Sequence, residues 1–169
     1  ENVYALSSGM AAISNSLLSL CESGANIVTS NHLFGNTWLL LSKTFARYGI
    51  EARFCDLCDL DAVKAAIDDR TVCIYAEIIS NPLQEVVDLQ ALAHLAHSLG
   101  KKLVADTTMI PFTRFSAKSL GVDLELVSST KYISGGASTI GGLVIDYSCG
   151  KEFAARMQEI LLNFGAYMT

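Results

Sequence analysis

Short apolar, β-branched runs alternate with longer amphipathic stretches along nearly the whole chain, and this alternation constrains the fold more than any single motif. The pattern predicts strands at 27–29, 51–55, 71–76, 102–105, 124–127 and 139–145. Helices are expected at 10–21, 37–48, 89–99 and 151–162, with a short one near 116–120. Another should run from a cap at Asp59 or Asp61 to about Ile67. Gly49 and Gly100 sit where helices should stop, and Asn81-Pro82 ends the strand at 71–76. Such alternation implies an α/β fold: a mostly parallel sheet with right-handed crossovers and helices on both faces, in three α/β/α layers. No repeat, low-complexity tract or linker interrupts it, so residues 1–169 read as one domain.

Composition matters here mainly for what it excludes. A hydrophobic content of 51% with 17% charged residues suits a globular chain rather than a disordered one. The mean hydropathy of +0.37 points to buried strands, or to faces that meet another domain or subunit. A net charge of −5 leaves no basic stripe for nucleic acid, yet is compatible with one phosphate held by backbone amides. No apolar run approaches the roughly 20 residues of a membrane span. The opening Glu1-Asn2-Val3 has no basic signal-peptide region, so the cytoplasm is the expected compartment. Without an initiator Met, the chain reads as a fragment of something longer.

Five cysteines (21, 55, 58, 73 and 149) form an odd set without framework spacing, and reduced thiols are expected. Cys55-Asp56-Leu57-Cys58 matches a CxxC pattern, for which two structural cysteines at a strand end is the favoured reading over a redox pair. No metal site is expected. His32, His94 and His97 are not spaced to complete one with the cysteines, and Asp56, Asp59 and Asp61 read as helix caps.

In parallel α/β sheets ligands sit beyond the carboxyl ends of the strands. The polar residues at those ends are 30–37, Glu77 to Asn81, Asp106 to Thr108 and Ser128 to Lys131. Lys131 follows an apolar strand and precedes Tyr132-Ile133-Ser134-Gly135-Gly136. Partly desolvated there, it would be a competent amine toward an aldehyde, although a lone lysine in a polar turn is more often a surface residue. Asp106 ends Leu103-Val104-Ala105 and needs a cationic partner, which a pyridinium nitrogen would supply; a helix cap or a salt bridge would also serve. Ser7-Ser8-Gly9-Met10 opens a helix whose free amides suit a phosphate. Ser128 and Thr130, two residues apart in an extended segment, would face the same anion. No dinucleotide or P-loop glycine fingerprint and no GxSxG elbow is present, and Gly135-Gly136…Gly141-Gly142 reads as a flexible turn.

These pieces, in this order, resemble the Cys/Met-metabolism family of pyridoxal-phosphate enzymes of fold type I. The most specific is Ser128-Ser129-Thr130-Lys131-Tyr132, similar to the family's S-A-T-K-Y. The resemblance implies that Lys131 carries pyridoxal 5'-phosphate as a Schiff base and moves protons, and that Ser128 and Thr130 contact the phosphate. Ser8-Gly9-Met10-Ala11-Ala12-Ile13 resembles S-G-M-A-A-I, whose Gly and Met amides bind the phosphate. Glu77 with Ser80-Asn81-Pro82 is similar to E-x-x-x-N-P, which implies an Asn81 contact to the ring hydroxyl. Val104-Ala105-Asp106-Thr107-Thr108 is similar to the family's V-D-N-T segment and implies that Asp106 pairs with the pyridine nitrogen, with Thr108 beside it.

Two departures qualify the likeness. The family's L-Y-G-x-T loop appears as Leu33-Phe34-Gly35-Asn36-Thr37. Phe34 can stack on the cofactor ring but has no phenol to exchange a proton. Several sulfhydrylase-type members carry Phe there, so the resemblance implies O-acetyl- or O-succinylhomoserine sulfhydrylase chemistry. Cystathionine γ-synthase and methionine or cystathionine γ-lyase are the alternatives within the family. A non-catalytic oligomerisation domain without cofactor is the alternative outside it. Thr107 replaces the usual Asn, and the segment to Pro111 is one residue shorter, so that loop should be reshaped. Family members extend beyond both ends of this chain: an N-terminal arm gives a Tyr and an Arg to a neighbouring subunit's phosphate site, and a C-terminal domain supplies an Arg for the substrate carboxylate. The expectation is therefore the central cofactor-binding domain of a homo-oligomer, dimer or tetramer, that acts on a small amino-acid substrate.

Overall fold

A computed structural model describes residues 1–110 and 112–168. Pro111, which bounds the shortened segment after Asp106, lies outside them. Seven strands form one sheet: β1 (Asn2–Leu6), β2 (Asn26–Ser30), β3 (Glu51–Cys55), β4 (Thr71–Glu77), β5 (Lys102–Asp106), β6 (Leu124–Val127) and β7 (Gly142–Asp146). Their order across the sheet is β1-β7-β6-β5-β4-β2-β3. Strands β3, β2, β4, β5 and β6 run parallel, while β7 pairs antiparallel with both β6 and β1. The mostly parallel sheet expected from the alternation is what the chain forms.

Helices cover the two faces: α1 (Gly9–Leu20), α2 over 35–48, α3 (Leu60–Ala66), α4 (Leu89–Ser98) and α5 (Gly150–Phe164), with 3₁₀ turns at Phe112–Arg114 and at Ala117–Leu120, where a short helix was expected. Successive residues of a strand point to opposite faces, and the core divides accordingly. Cys73 and Tyr75 of β4 pack with Leu17, Leu41, Phe45, Phe153 and Met157 on one side. Ile74 and Ala76 pack with Val63, Leu89, Leu92, Ala96 and Ala117 on the other. Each face thus buries its own apolar layer, which gives the three-layer α/β/α arrangement.

Strand order explains where a site can form. From β2 the chain passes through α2 to β3 at the edge, then returns through α3 to β4 on the other side of β2. Right-handed crossovers in opposite directions put α2 and α4, the helices that follow β2 and β4, on opposite faces, so the chain reverses its winding between these strands. Ligand sites in such sheets form near that reversal, beyond the carboxyl ends of the strands.

Three elements differ from the sequence expectation. Strand β1 carries only two inward residues, Tyr4 and Leu6, too few for a periodic signal. Strand β7 begins at Gly142 rather than 139, because the amide of Gly141 donates to Thr130 Oγ1 (3.0 Å) and its carbonyl accepts from that hydroxyl (3.2 Å). Residues 139–141 therefore serve a turn rather than the ladder. The helix expected at 37–48 starts two residues earlier and is not uniform: an α-helical turn (Gly35–Leu39) passes into a π-helical one (Leu40–Thr44) and a 3₁₀ turn (Phe45–Tyr48). Gly49 ends it with φ of 75°, in the left-handed region that glycine tolerates.

Candidate active site

At the carboxyl edge of β4, β5 and β6 lies a cavity of about 290 Å³, near the lower end of small-ligand sites. All ten residues singled out from the sequence line it.

One end of the cavity is the start of α1. Ser8 is the N-cap, and its Oγ accepts from the Ala11 amide (3.0 Å) while its carbonyl accepts from the Ala12 amide (3.0 Å). That leaves the amides of Gly9 and Met10 as the unpaired donors of the first turn, aligned with the helix dipole. Gly9 lies against Ser128: a Cβ there would fall 2.7 Å from Ser128 Cβ and 2.9 Å from its Oγ. Only glycine lets the helix start and the Ser128 segment share one cradle.

The two hydroxyls of that segment are not equivalent. Thr130 Oγ1 gives its proton to the Gly141 carbonyl, as described above, and so accepts but does not donate into the cavity. Ser128 Oγ has no protein partner among the described residues, and is the hydroxyl with its proton available. Both hydroxyls line the cavity, but only that of Ser128 is free to donate there.

Asp106 forms the far wall. Its Oδ1 accepts from the Thr108 amide (2.9 Å), and Thr108 Oγ1 in turn accepts from the Ser128 amide (2.8 Å). Thr108 thereby ties the acid to the anion cradle. Burial pushes the Asp106 carboxyl above its usual pKa, partly offset by Thr108. No ion pair to Asp106 is present among the described residues, so the fold itself does not compensate its charge. Thr107 turns the other way, donating from Oγ1 to Glu125 (2.5 Å) beneath the sheet end. The substitution at Thr107 therefore does not touch the cavity.

Lys131 reaches the same cavity from a turn rather than from the strand itself, its amide donating to the Ser128 carbonyl (3.1 Å). The turn lifts its side chain into an exposed position, so the desolvation expected of this lysine is not supplied by the described residues. Phe34, 43% exposed, and Asn81 complete the wall on the β2 and β4 sides.

Two polar wall residues were not assigned roles from sequence. Asn36 enters as the second residue of α2, a position that no local pattern marks. Glu77 stands beside Asp106 in register, and its carboxylate accepts the Phe34 amide at 2.9 and 3.1 Å. Burial pushes its pKa up to about 7, opposed by the Phe34 amide and reinforced by the charge of Asp106. Strand pairing creates that neighbourhood, and single-strand periodicity does not reveal it.

The CxxC pair lies elsewhere. Cys55 ends β3 half-buried, and Cys58 is exposed. Both thiols are pushed up in pKa, first by burial and then by nearby acids including Asp56, the reverse of what a reactive thiolate needs. Asp59 caps α3 through the amides of Asp61 (3.0 Å) and Ala62 (3.1 Å). Among the described residues no group of three or more His, Cys, Asp or Glu side chains is placed to hold a metal ion. No helix there is long and apolar enough to cross a membrane.

A cradle of free amides, an acid without a cation, an exposed amine and an aromatic ring thus share one cavity. Those four groups fit the phosphate, the ring nitrogen, the aldehyde and the ring face of pyridoxal phosphate. Known proteins agree in kind. The family model described as Cys/Met metabolism PLP-dependent enzyme matches residues 1–169. The L-methionine γ-lyase of Fusobacterium nucleatum subsp. polymorphum is 40% identical over 96% of this chain and 41% of its own length. The O-succinylhomoserine sulfhydrylase of Pseudomonas aeruginosa is 40% identical over 85% of this chain and 36% of its own. A solved structure of O-acetylhomoserine sulfhydrylase from Wolinella succinogenes superposes with a TM-score of 0.90 at 41% identity, covering 99% of this chain and 52% of that one. The chain therefore spans about two fifths of the length of these curated relatives.

Proposed function

The chain belongs to the Cys/Met metabolism PLP-dependent enzyme family, and on that premise we propose that it is the central cofactor-binding domain of an O-acetyl- or O-succinylhomoserine sulfhydrylase. The reaction would be a γ-replacement: a thiol or sulfide adds at Cγ, the acyl group leaves as its carboxylate, and the thiol proton balances it.

Pyridoxal phosphate, when bound, supplies the electron sink that makes Cα and Cβ protons removable. Gly9 and Met10 amides with Ser128 would hold its phosphate, and Asn81 and Asp106 would orient its ring. Asp106 would remain ionised against a cation, which removes the cost of burying it alone. Lys131, the amine at the cavity edge, would attach the cofactor and then carry protons between carbons of the substrate.

The observation that favours replacement over elimination is Phe34. Its ring lies at the cavity wall where the family pattern has a phenol, so it can stack but cannot take a proton. Identity to an L-methionine γ-lyase as high as that to a sulfhydrylase favours a second reading, γ-elimination. Steady-state assays of the full-length protein separate the two. Acylhomoserine plus sulfide should far outpace methionine alone, and dominant release of α-keto acid from methionine would overturn the sulfhydrylase reading. The attachment site has its own test: with pyridoxal phosphate and borohydride, mass spectrometry should find one labelled lysine, Lys131. Retention of that label in Lys131→Ala would remove the assignment. The shared cavity of Lys131, Asp106, Asn81 and Ser128 speaks against a non-catalytic oligomerisation domain. The exposed Lys131 fits a homo-oligomer, dimer or tetramer, whose other segments close the cavity.

A further inference from the structure

Two loops form the wall of the cavity between β2 and β4, and acidic side chains fasten them together at two depths. At the surface, His32 Nδ1 and Glu85 Oε2 are 2.5 Å apart, joining the loop after β2 to the loop after β4. Glu85 is itself held by Ser80, whose Oγ accepts its amide (3.0 Å) and whose own amide donates to its carbonyl (2.9 Å). Below them Glu77, 8% exposed, directs both carboxylate oxygens at the Phe34 amide. Phe34 precedes α2 with no side-chain cap, so this carboxylate is what fixes the entry of the helix. Residues 77 and 106 are register partners of parallel strands, so their side chains leave the same face of the sheet.

We propose that Glu77 is a positioning residue: its carboxylate, held beside Asp106, clamps the Phe34 amide and so sets the aromatic ring against the cavity, more firmly once a cation has neutralised Asp106. The inference rests on the reading of Asp106 as the partner of a cationic ring. A cation there removes the like charge beside Glu77, favours its ionised form and strengthens a charge-assisted bond. Among the described residues the titratable groups that face it are Asp106 from β5 and the neutral Tyr75 from its own strand, with Lys131 on the turn after β6 lining the same cavity. The His32–Glu85 contact lies outside them, at the surface. Since burial carries the Glu77 pKa to about 7, the clamp should weaken as pH falls from 8 to 6.

Hydrogen exchange of the Phe34 amide in the full-length protein reads the clamp directly, without any turnover. After correction for intrinsic rates, protection in the cofactor-free protein should fall about tenfold between pH 8 and pH 6, the scale of one charged hydrogen bond. Glu77→Gln keeps the shape without the charge, and its protection should be low and independent of pH. Adding pyridoxal phosphate should restore protection at pH 6 in the native protein but not in the variant. Native protection that ignores pH, or a variant that retains the native pH dependence, would overturn the proposal. The native pH series needs no variant to fold. Failure of the protein to bind pyridoxal phosphate would instead remove the functional reading, and the Glu77 clamp would still stand or fall on the cofactor-free series.

Discussion

On the proposed reading, Asp106 works against the empty fold and for the loaded one. Its folded pKa is raised, so the folded state binds a proton more readily than the unfolded chain, and stability it contributes at low pH is lost as pH rises. At neutral pH the ionised acid therefore burdens the cofactor-free protein. Asp106→Asn should raise the melting temperature of that protein, since asparagine still accepts from the Thr108 amide. The same change should weaken pyridoxal phosphate binding about 10- to 100-fold, the scale of one charged hydrogen bond. Opposite signs in melting and in cofactor titration are the expected outcome, and losses in both would point to a merely structural acid. That Asp106 lines the cavity was legible in the sequence, because an acid after three apolar residues marks the carboxyl end of a buried strand. Glu77 was not, because its meaning comes from the Asp106 beside it and the Phe34 amide above it, both far along the chain. The hydroxyl of Thr130 was half legible: its side of the segment follows from spacing, but its commitment to Gly141 depends on a turn eleven residues on.

Among the elements, those with caps and long apolar stripes were read closely, and those defined by neighbours were not. Helix α4 runs from a side-chain cap at Asp88 to the glycine stop at Gly100. Asp88 Oδ1 accepts the Ala91 amide (3.0 Å) at an exposed site, so Asp88→Ala should cost about 1 kcal/mol in denaturant unfolding. Because α4 packs on the face away from α1, cofactor affinity should be unchanged. A parallel loss of affinity would mean that the two faces are not energetically separate. Strand β1 escaped detection since pairing with β7, rather than its own pattern, makes it a strand. The π turn in α2 is likewise invisible to a 3.6-residue period. It sits one turn after Asn36, and π turns often occur beside functional sites.

Across the whole molecule, the two ends of the sheet carry acids of opposite character. Asp123, at the end away from the cavity, is buried; burial alone would raise its pKa, but Ser148, the Leu103 amide, His97 and Lys102 outweigh that and hold it below the usual carboxylate range. Its stabilising effect is present above the unfolded carboxylate pKa and lost as pH falls through the lower folded value. At the cavity end Asp106 and Glu77 are raised, so in the empty protein they favour acid pH instead. A cationic ring needs Asp106 ionised, and the ligand therefore competes with protons for that end of the sheet. Saturating cofactor at about 100 times its Kd stabilises a fold by about 2.7 kcal/mol at any pH, but a fixed cofactor concentration does not. With the concentration held constant, the melting shift produced by pyridoxal phosphate in the full-length protein should grow from pH 6 to pH 8. In Asp106→Asn that growth should shrink, leaving what Glu77 contributes. A shift in the native protein that is flat or falls over this range would mean that the ligand does not meet a raised acid at the end of β5.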